Sequence, residues 1–141
     1  MLPLIILAGP TTSKKSDTAI ALAEKFNGEI ISADSMQVYK YFDIGTAKAS
    51  PEDRLRIPHY LIDILEPDEE FTAFDFKTRA LKHIREIIGQ SKIPILTGGT
   101  GLYLKALRED YDCAVQINSE IKKQVQFDIG EKGLSLIHKE L

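Results

Sequence analysis

Scarcity sets the first limits on this chain. Its 141 residues hold one cysteine, two methionines, three histidines and no tryptophan. The lone Cys113 cannot close an internal disulfide, and His59, His83 and His138 lie too far apart in sequence to read as a metal set. No apolar run approaches the roughly 20 residues that span a bilayer. The apolar start, Met1 to Ala8, lacks the basic region of a secretory leader and runs directly into a loop motif, so it reads as a buried strand. Neither sign of charge dominates: 18 Lys and Arg stand against 21 Asp and Glu, a formal net charge of −3. That balance does not advertise a nucleic-acid binder, although it leaves room for a local basic patch. No internal repeat or low-complexity linker is visible. With 43% hydrophobic and 28% charged residues, the expectation is a single cytoplasmic globular domain over residues 1–141, with no membrane segment and no structural metal.

What is present begins at "AGPTTSKKS". Gly9, Pro10, Thr11, Thr12, Ser13, Lys14, Lys15 and Ser16 follow the phosphate-binding pattern G-x-x-x-x-G-K-[ST], with Lys14 at the position of the second glycine. Such a loop works because consecutive backbone N–H groups and a helix N-terminus converge on the anion, while lysine adds charge and Ser or Thr holds Mg²⁺. The flanks suit the motif. Leu4 to Ala8 is a continuous apolar run of the kind that parallel sheets bury on both faces. From Lys15 the apolar spacing is helical and stops at Asn27-Gly28.

Further along, Glu29 to Ala33 reads as a second strand that delivers Asp34 at its end. "YLIDIL", Tyr60 to Leu65, reads as a third, closed by the acidic turn Glu66 to Glu70. Thr72 is a good N-cap for a helix to about Ile88, since Phe76, Ala80, Ile84 and Ile88 recur at i+4. "IPILT", Ile93 to Thr97, is a fourth strand, followed by Gly98-Gly99-Thr100-Gly101 and a helix through Leu102, Tyr103 and Ala106. Beyond Asp110 the pattern weakens. Ser119 to Phe127 looks helical, Gly130 and Gly133 read as breaks, and Leu134 to Leu141 begins another helix. Strands alternating with helices predict an α/β fold with a mainly parallel sheet and helices on both faces. In such sheets ligands lie beyond the carboxyl ends of the strands. The Gly9–Ser16 loop, Asp34 and the Gly98–Gly101 turn therefore converge on one edge.

The segments "AGPTTSKKS", "NGEIISADSMQVYKYFDIGTAKASPEDR", "IPHYLIDILEP", "FTAFDFKTRALKHI" and "IPILTGGTGLYLKAL", in this order and spacing, resemble the N-terminal half of the tRNA dimethylallyltransferase family. The resemblance is dense over residues 4–110 and looser through "NSEIKKQVQFDIGEKGLSLIHKEL". It implies a P-loop NTPase-like three-layer α/β/α fold, truncated, with residues from about 111 to 141 starting the family's helical insertion. It also implies transfer of a dimethylallyl group from its diphosphate to N6 of the adenosine beside the anticodon of tRNA, at position 37, a base that is flipped out for reaction. On this reading Gly9, Pro10, Thr11, Thr12, Ser13, Lys14, Lys15 and Ser16 hold the diphosphate, and Ser16 binds Mg²⁺. Asp34 is the base, Thr100 stands by the substrates, and Ser35, Met36 and Gln37 hold the target adenine. Lys122 falls where the family has a tRNA-contacting basic residue.

Two departures from the family pattern bear on activity. Lys14 puts a side chain where glycine would relieve a left-handed backbone. The chain is also about half the family's length, which leaves either an impaired, degenerate product or a C-terminal half supplied by another chain. Other function classes remain open from the sequence. A small P-loop nucleotide or metabolite kinase would use Asp63 of "YLIDIL" to help hold Mg²⁺, and an inactive remnant would keep only residual phosphate binding.

Overall fold

The middle of the fold is built around Gly28–Ser32, a strand whose five residues are all buried. Full burial follows from its sequence: Ile30 and Ile31 are adjacent, so each face of the sheet receives one isoleucine. The computed structural model describes residues 3–9, 14–109 and 119–133. Contacts divide the chain into two compact units, Met1–Tyr111 and Asp112–Leu141.

In the first unit the order is β1 (Ile5–Ala8), α1 (Lys15–Phe26), β2 (Gly28–Ser32), α2 (Pro51–Arg56), β3 (His59–Tyr60), α3 (Ala73–Gly89), β4 (Ile93–Gly98) and α4 (Gly101–Arg108). The second unit contains α5 (Ser119–Lys132). The four strands form one sheet in the order β1-β4-β2-β3, and every pairing is parallel. Ile30 and Ile31 sit beside Ile95 and Leu96 of β4. Alternation sends Ile30 and Ile95 to one face, where Ala19 and Ala23 of α1 cover them. Ile31 and Leu96 go to the other face, under Phe76, Ala80, Ile84 and Ile87 of α3 and Tyr103 of α4. The expected α/β fold with helices on both faces is the one found.

The small residues on α1 let that helix approach the sheet closely. The bulkier face of α3 fills the opposite layer, where Phe76 stacks on Tyr103 at 4.4 Å between ring centres. The start of α3 is fixed by a capping box: Thr72 accepts from the Asp75 backbone N–H, and Asp75 accepts from that of Thr72. Removing the hydroxyl with Thr72→Ala is expected to cost about 1 kcal/mol, seen as a lower urea midpoint with an unchanged slope.

Three expectations change. The third strand is only His59–Tyr60, because Leu61 and Asp63 adopt left-handed backbone, φ 61° and 55°; Leu65 returns as an isolated bridge to Tyr39. A short helix, α2, stands where no element was expected, started by Ser50, whose side chain accepts from the Asp53 N–H, and by proline at the first turn. Helix α5 continues through Gly130. The Leu134–Leu141 helix lies outside the described residues.

Candidate functional site

Three chain segments meet where β2 and β4 end. Lys15 and Ser16 open α1 immediately after the phosphate-loop segment, Asp34 follows β2, and Gly98-Gly99 closes β4. All of these line one small cavity of ≈ 40 Å³ together with Gln37, Thr46, Ala47 and Thr97. A broader cleft of ≈ 430 Å³ shares Lys15 and Ser16 and adds Lys14, Asp17, Ile20 and the stretch from Ala47 to Ser50. Pro10, Thr11, Thr12 and Ser13 lie outside the described residues, whereas Gly9 leaves β1 directly beneath the Gly99 backbone.

Asp34 is held by its own chain. Its Oδ1 accepts from the backbone N–H of Met36 at 2.9 Å and of Gln37 at 3.4 Å, an Asx-type turn that orients the carboxylate. Ser35 is tied across to α4: its N–H donates to Thr100 Oγ1 at 2.9 Å, and the Thr100 hydroxyl donates to Ser35 Oγ at 3.3 Å. Thr100 precedes α4, yet its hydroxyl makes no cap bond; it is used to link the two strand-end loops. Met36 is half exposed. Beneath them Tyr103 is buried, and burial, with the charges of Tyr39, Asp34 and Asp75, pushes its phenol up to about 12. Tyr103 therefore stays protonated at neutral pH.

Gln37 lines the same small cavity, with its amide bonded within the protein. Its Oε1 accepts from the buried Ser32 hydroxyl at 2.8 Å, and its Nε2 donates to the carbonyls of Thr46 and Ala47 at 2.8 and 3.3 Å. Both ends of the amide are used inside the protein. Lys122 lies on α5, in the other unit, and its side chain is outside the described set. Asp63, the aspartate of the kinase reading, gives one oxygen to Lys48 at 2.6 Å and the other to Arg54 at 2.5 Å. Burial alone would raise that carboxyl, but the two cations outweigh it and hold it below the usual range. Among the described residues no group of three or more His, Cys, Asp or Glu could hold a metal.

Lys14 adopts φ 53° and ψ 28°, the left-handed region that glycine enters freely and other residues enter at a cost of roughly 1–2 kcal/mol. By restoring backbone freedom to a loop that must close on an anion, Lys14→Gly is expected to tighten pyrophosphate binding severalfold in calorimetric titration. Equal binding would mean that Lys14 is tolerated there, and weaker binding that its ammonium is itself a phosphate ligand.

Sequence reading missed the stretch Thr46 to Ala49, which walls both cavities. The visible signal was Gly45 followed by Thr46 and Lys48, polar and turn-forming residues beyond an aromatic pair. It also missed Thr97, which lines the small cavity from the carboxyl end of β4.

The sequence model described as IPP transferase matches residues 37–141. A curated tRNA dimethylallyltransferase of Alkaliphilus oremlandii is 48% identical over 139 residues, 98% of this chain and 44% of the relative. That of Staphylococcus epidermidis is 52% identical over 129 residues, covering 91% and 39%. The solved tRNA delta(2)-isopentenylpyrophosphate transferase of Staphylococcus epidermidis superposes with a TM-score of 0.73 at 51% identity, over 92% of this chain and 42% of that one. The full-length tRNA isopentenylpyrophosphate transferase of Bacillus halodurans gives 0.77 at 37% identity, over 99% and 46%. The chain thus spans under half the length of these relatives. No described helix is long and apolar enough to cross a membrane. On its sequence and its parallel α/β architecture alike, the chain belongs to the IPP transferase family.

Proposed function

We propose that this chain carries the diphosphate-binding and base-bearing half of a cytoplasmic tRNA dimethylallyltransferase. The observation that supports the reading most is that Lys15, Ser16 and Asp34 line a single cavity at the carboxyl edge of the sheet. A transfer reaction needs its leaving-group site and its base at the two ends of one reacting pair. Dimethylallyl diphosphate binds with its diphosphate against Gly9 to Ser16, where the α1 N-terminus and Lys15 favour negative charge. N6 of the target adenine in the anticodon loop attacks the allylic carbon, the C–O bond to diphosphate breaks, and the N6 proton passes to an Asp34 oxygen. Thr100 fixes Ser35 and so the loop carrying Asp34, with Met36 beside the incoming base and Lys122 a further tRNA contact.

Mg²⁺ suits the oxygen donor here, the Ser16 hydroxyl, since the ion commonly takes few protein ligands and completes its shell with water and phosphate oxygens. When bound it neutralises the charge that grows on the departing diphosphate. Among the described strands β1 pairs only with β4, and Ile6 on that edge is 43% exposed; a further strand, from this chain or another, closes it.

The test is to join this chain to the C-terminal part of the Staphylococcus epidermidis relative and incubate it with dimethylallyl diphosphate, Mg²⁺ and unmodified tRNA. Mass spectrometry of the digested tRNA should show one adenosine heavier by C5H8. Absence of that adduct, with the joined chain folded, rejects the reading.

A further inference from the structure

Lys48 is a charged residue with no place in the chemistry, yet its side chain is 4% exposed. Its ammonium makes three bonds: to Asp63 Oδ1 at 2.6 Å, to the Tyr39 carbonyl at 2.8 Å and to Asp43 Oδ1 at 2.9 Å. Asp63 passes the connection on through Arg54, whose Nε donates to the Ala49 carbonyl at 2.9 Å. The Asp63 N–H donates to the Gln37 carbonyl at 3.0 Å. Two residues of this assembly, Asp63 at φ 55° and Ala47 at φ 49°, are left-handed without being glycine. Such backbone persists only where its surroundings over-determine it.

The stretch so held is the wall of the site. Thr46 and Ala47 face the small cavity containing Asp34, and Ala47 to Ser50 face the cleft beside Lys14, Lys15 and Ser16. It is clamped from two sides: Gln37 carries Thr46 and Ala47 to Ser32 on β2, and the Lys48–Asp63 pair carries the next residues to the turn after β3. An ion pair with one partner withdrawn from water is weak evidence for stability, because desolvation offsets much of the attraction; fixing one arrangement among several is its better-attested use.

We propose that Lys48 and Asp63 are positioning residues that set the Thr46–Ala49 wall against Lys15 and Ser16, and so determine how tightly the site grips a diphosphate. The inference rests on the diphosphate role of the Gly9–Ser16 segment. A misplacement of about 1 Å in a supporting shell is enough to degrade a site. Lys48→Met and Asp63→Asn are therefore expected to weaken binding of inorganic pyrophosphate with Mg²⁺ by about tenfold, measured by calorimetry on the 141-residue chain well below the melting temperature of each variant. A purely structural ion pair would lower the melting temperature and leave the affinity of the folded protein alone. Retention of affinity within twofold in either folded variant overturns the proposal while leaving the diphosphate reading in place. Hydrogen exchange on the unsubstituted chain gives a second arm that needs no variant to fold: pyrophosphate should slow exchange of the 46–49 amides severalfold, and binding without that protection also overturns the proposal. If the unsubstituted chain binds no pyrophosphate at all, the diphosphate reading fails and the proposal fails with it.

Discussion

On the proposed function, replacing Asp34 by asparagine is expected to lower prenyl transfer to tRNA by roughly 10²–10⁴-fold, the usual contribution of a positioned base, and to change diphosphate affinity little. The substitution is well matched to the structure. Asparagine keeps an Oδ1 acceptor for the Met36 and Gln37 N–H groups, so the turn that presents the side chain survives. What disappears is the ability to take the N6 proton as the new C–N bond forms, an interaction of the transition state alone, which lowers turnover without weakening ground-state binding. Rates are read from the chain joined to a C-terminal half of the family, with prenylated adenosine counted by mass spectrometry. Normal turnover without Asp34 would remove this residue as the base and leave family membership untouched. Asp63→Asn separates the kinase chemistry: a kinase loses ATP-dependent phosphoryl transfer with that change and makes no prenylated tRNA in any variant. The pairing of both Asp63 oxygens with Lys48 and Arg54 already removes the free carboxylate that the kinase reading needs.

The placement of Asp34 was legible in the sequence because it depends on short-range signals. A β-branched, apolar strand, the glycine that precedes it and the parallel α/β alternation together fix which edge Asp34 leaves. The helix α3 was legible for a similar reason, since Thr72 and Asp75 satisfy each other locally and the apolar spacing is regular. Beyond Tyr60 local reasoning fails. "YLIDIL" alternates well enough for a strand, but the Asp63 side chain is drawn to Lys48, 15 residues earlier, and the backbone turns left-handed to meet it. An ion pair between distant residues leaves no periodic trace. Gln37 illustrates the same limit: the family resemblance implied a hold on the target adenine, whereas its bonds to Ser32, Thr46 and Ala47 depend on how separate segments fold together and leave no local trace. The helix α2 was readable in principle, from Ser50, Pro51 and Asp53 at N-cap, N1 and N3 spacing, but it is only six residues long and buries no side chain fully.

Gly98→Ala is expected to destabilise the chain by about 3 kcal/mol or more, toward the upper end of the cost of overfilling a packed core. Gly98 needs no unusual φ; the demand is space. A Cβ built there would lie 2.2 Å from the Ala33 carbonyl oxygen, 2.4 Å from its carbon and 2.8 Å from Ala33 Cα, all backbone atoms that cannot swing aside as a side chain can. The crowding follows from the register, which lays β4 beside β2 up to Ser32 and Thr97. The Ala33 N–H then donates to the Thr97 carbonyl at 2.8 Å, and the Ala33 carbonyl accepts from the Thr100 N–H at 3.2 Å. Relieving the overlap requires the two strand ends to part, breaking these bonds and shifting Asp34 and Thr100 on either side. Stability and site geometry are thus coupled at one residue, and a surviving folded fraction should bind pyrophosphate more weakly. Gly101→Ala is the matched control. Nothing lies within 4 Å of a Cβ at that position, which opens α4, so the change should alter stability by no more than about half a kcal/mol. Urea unfolding of the two variants reads the contrast directly, and equal midpoints would mean that β2 and β4 do not approach this closely at their carboxyl ends.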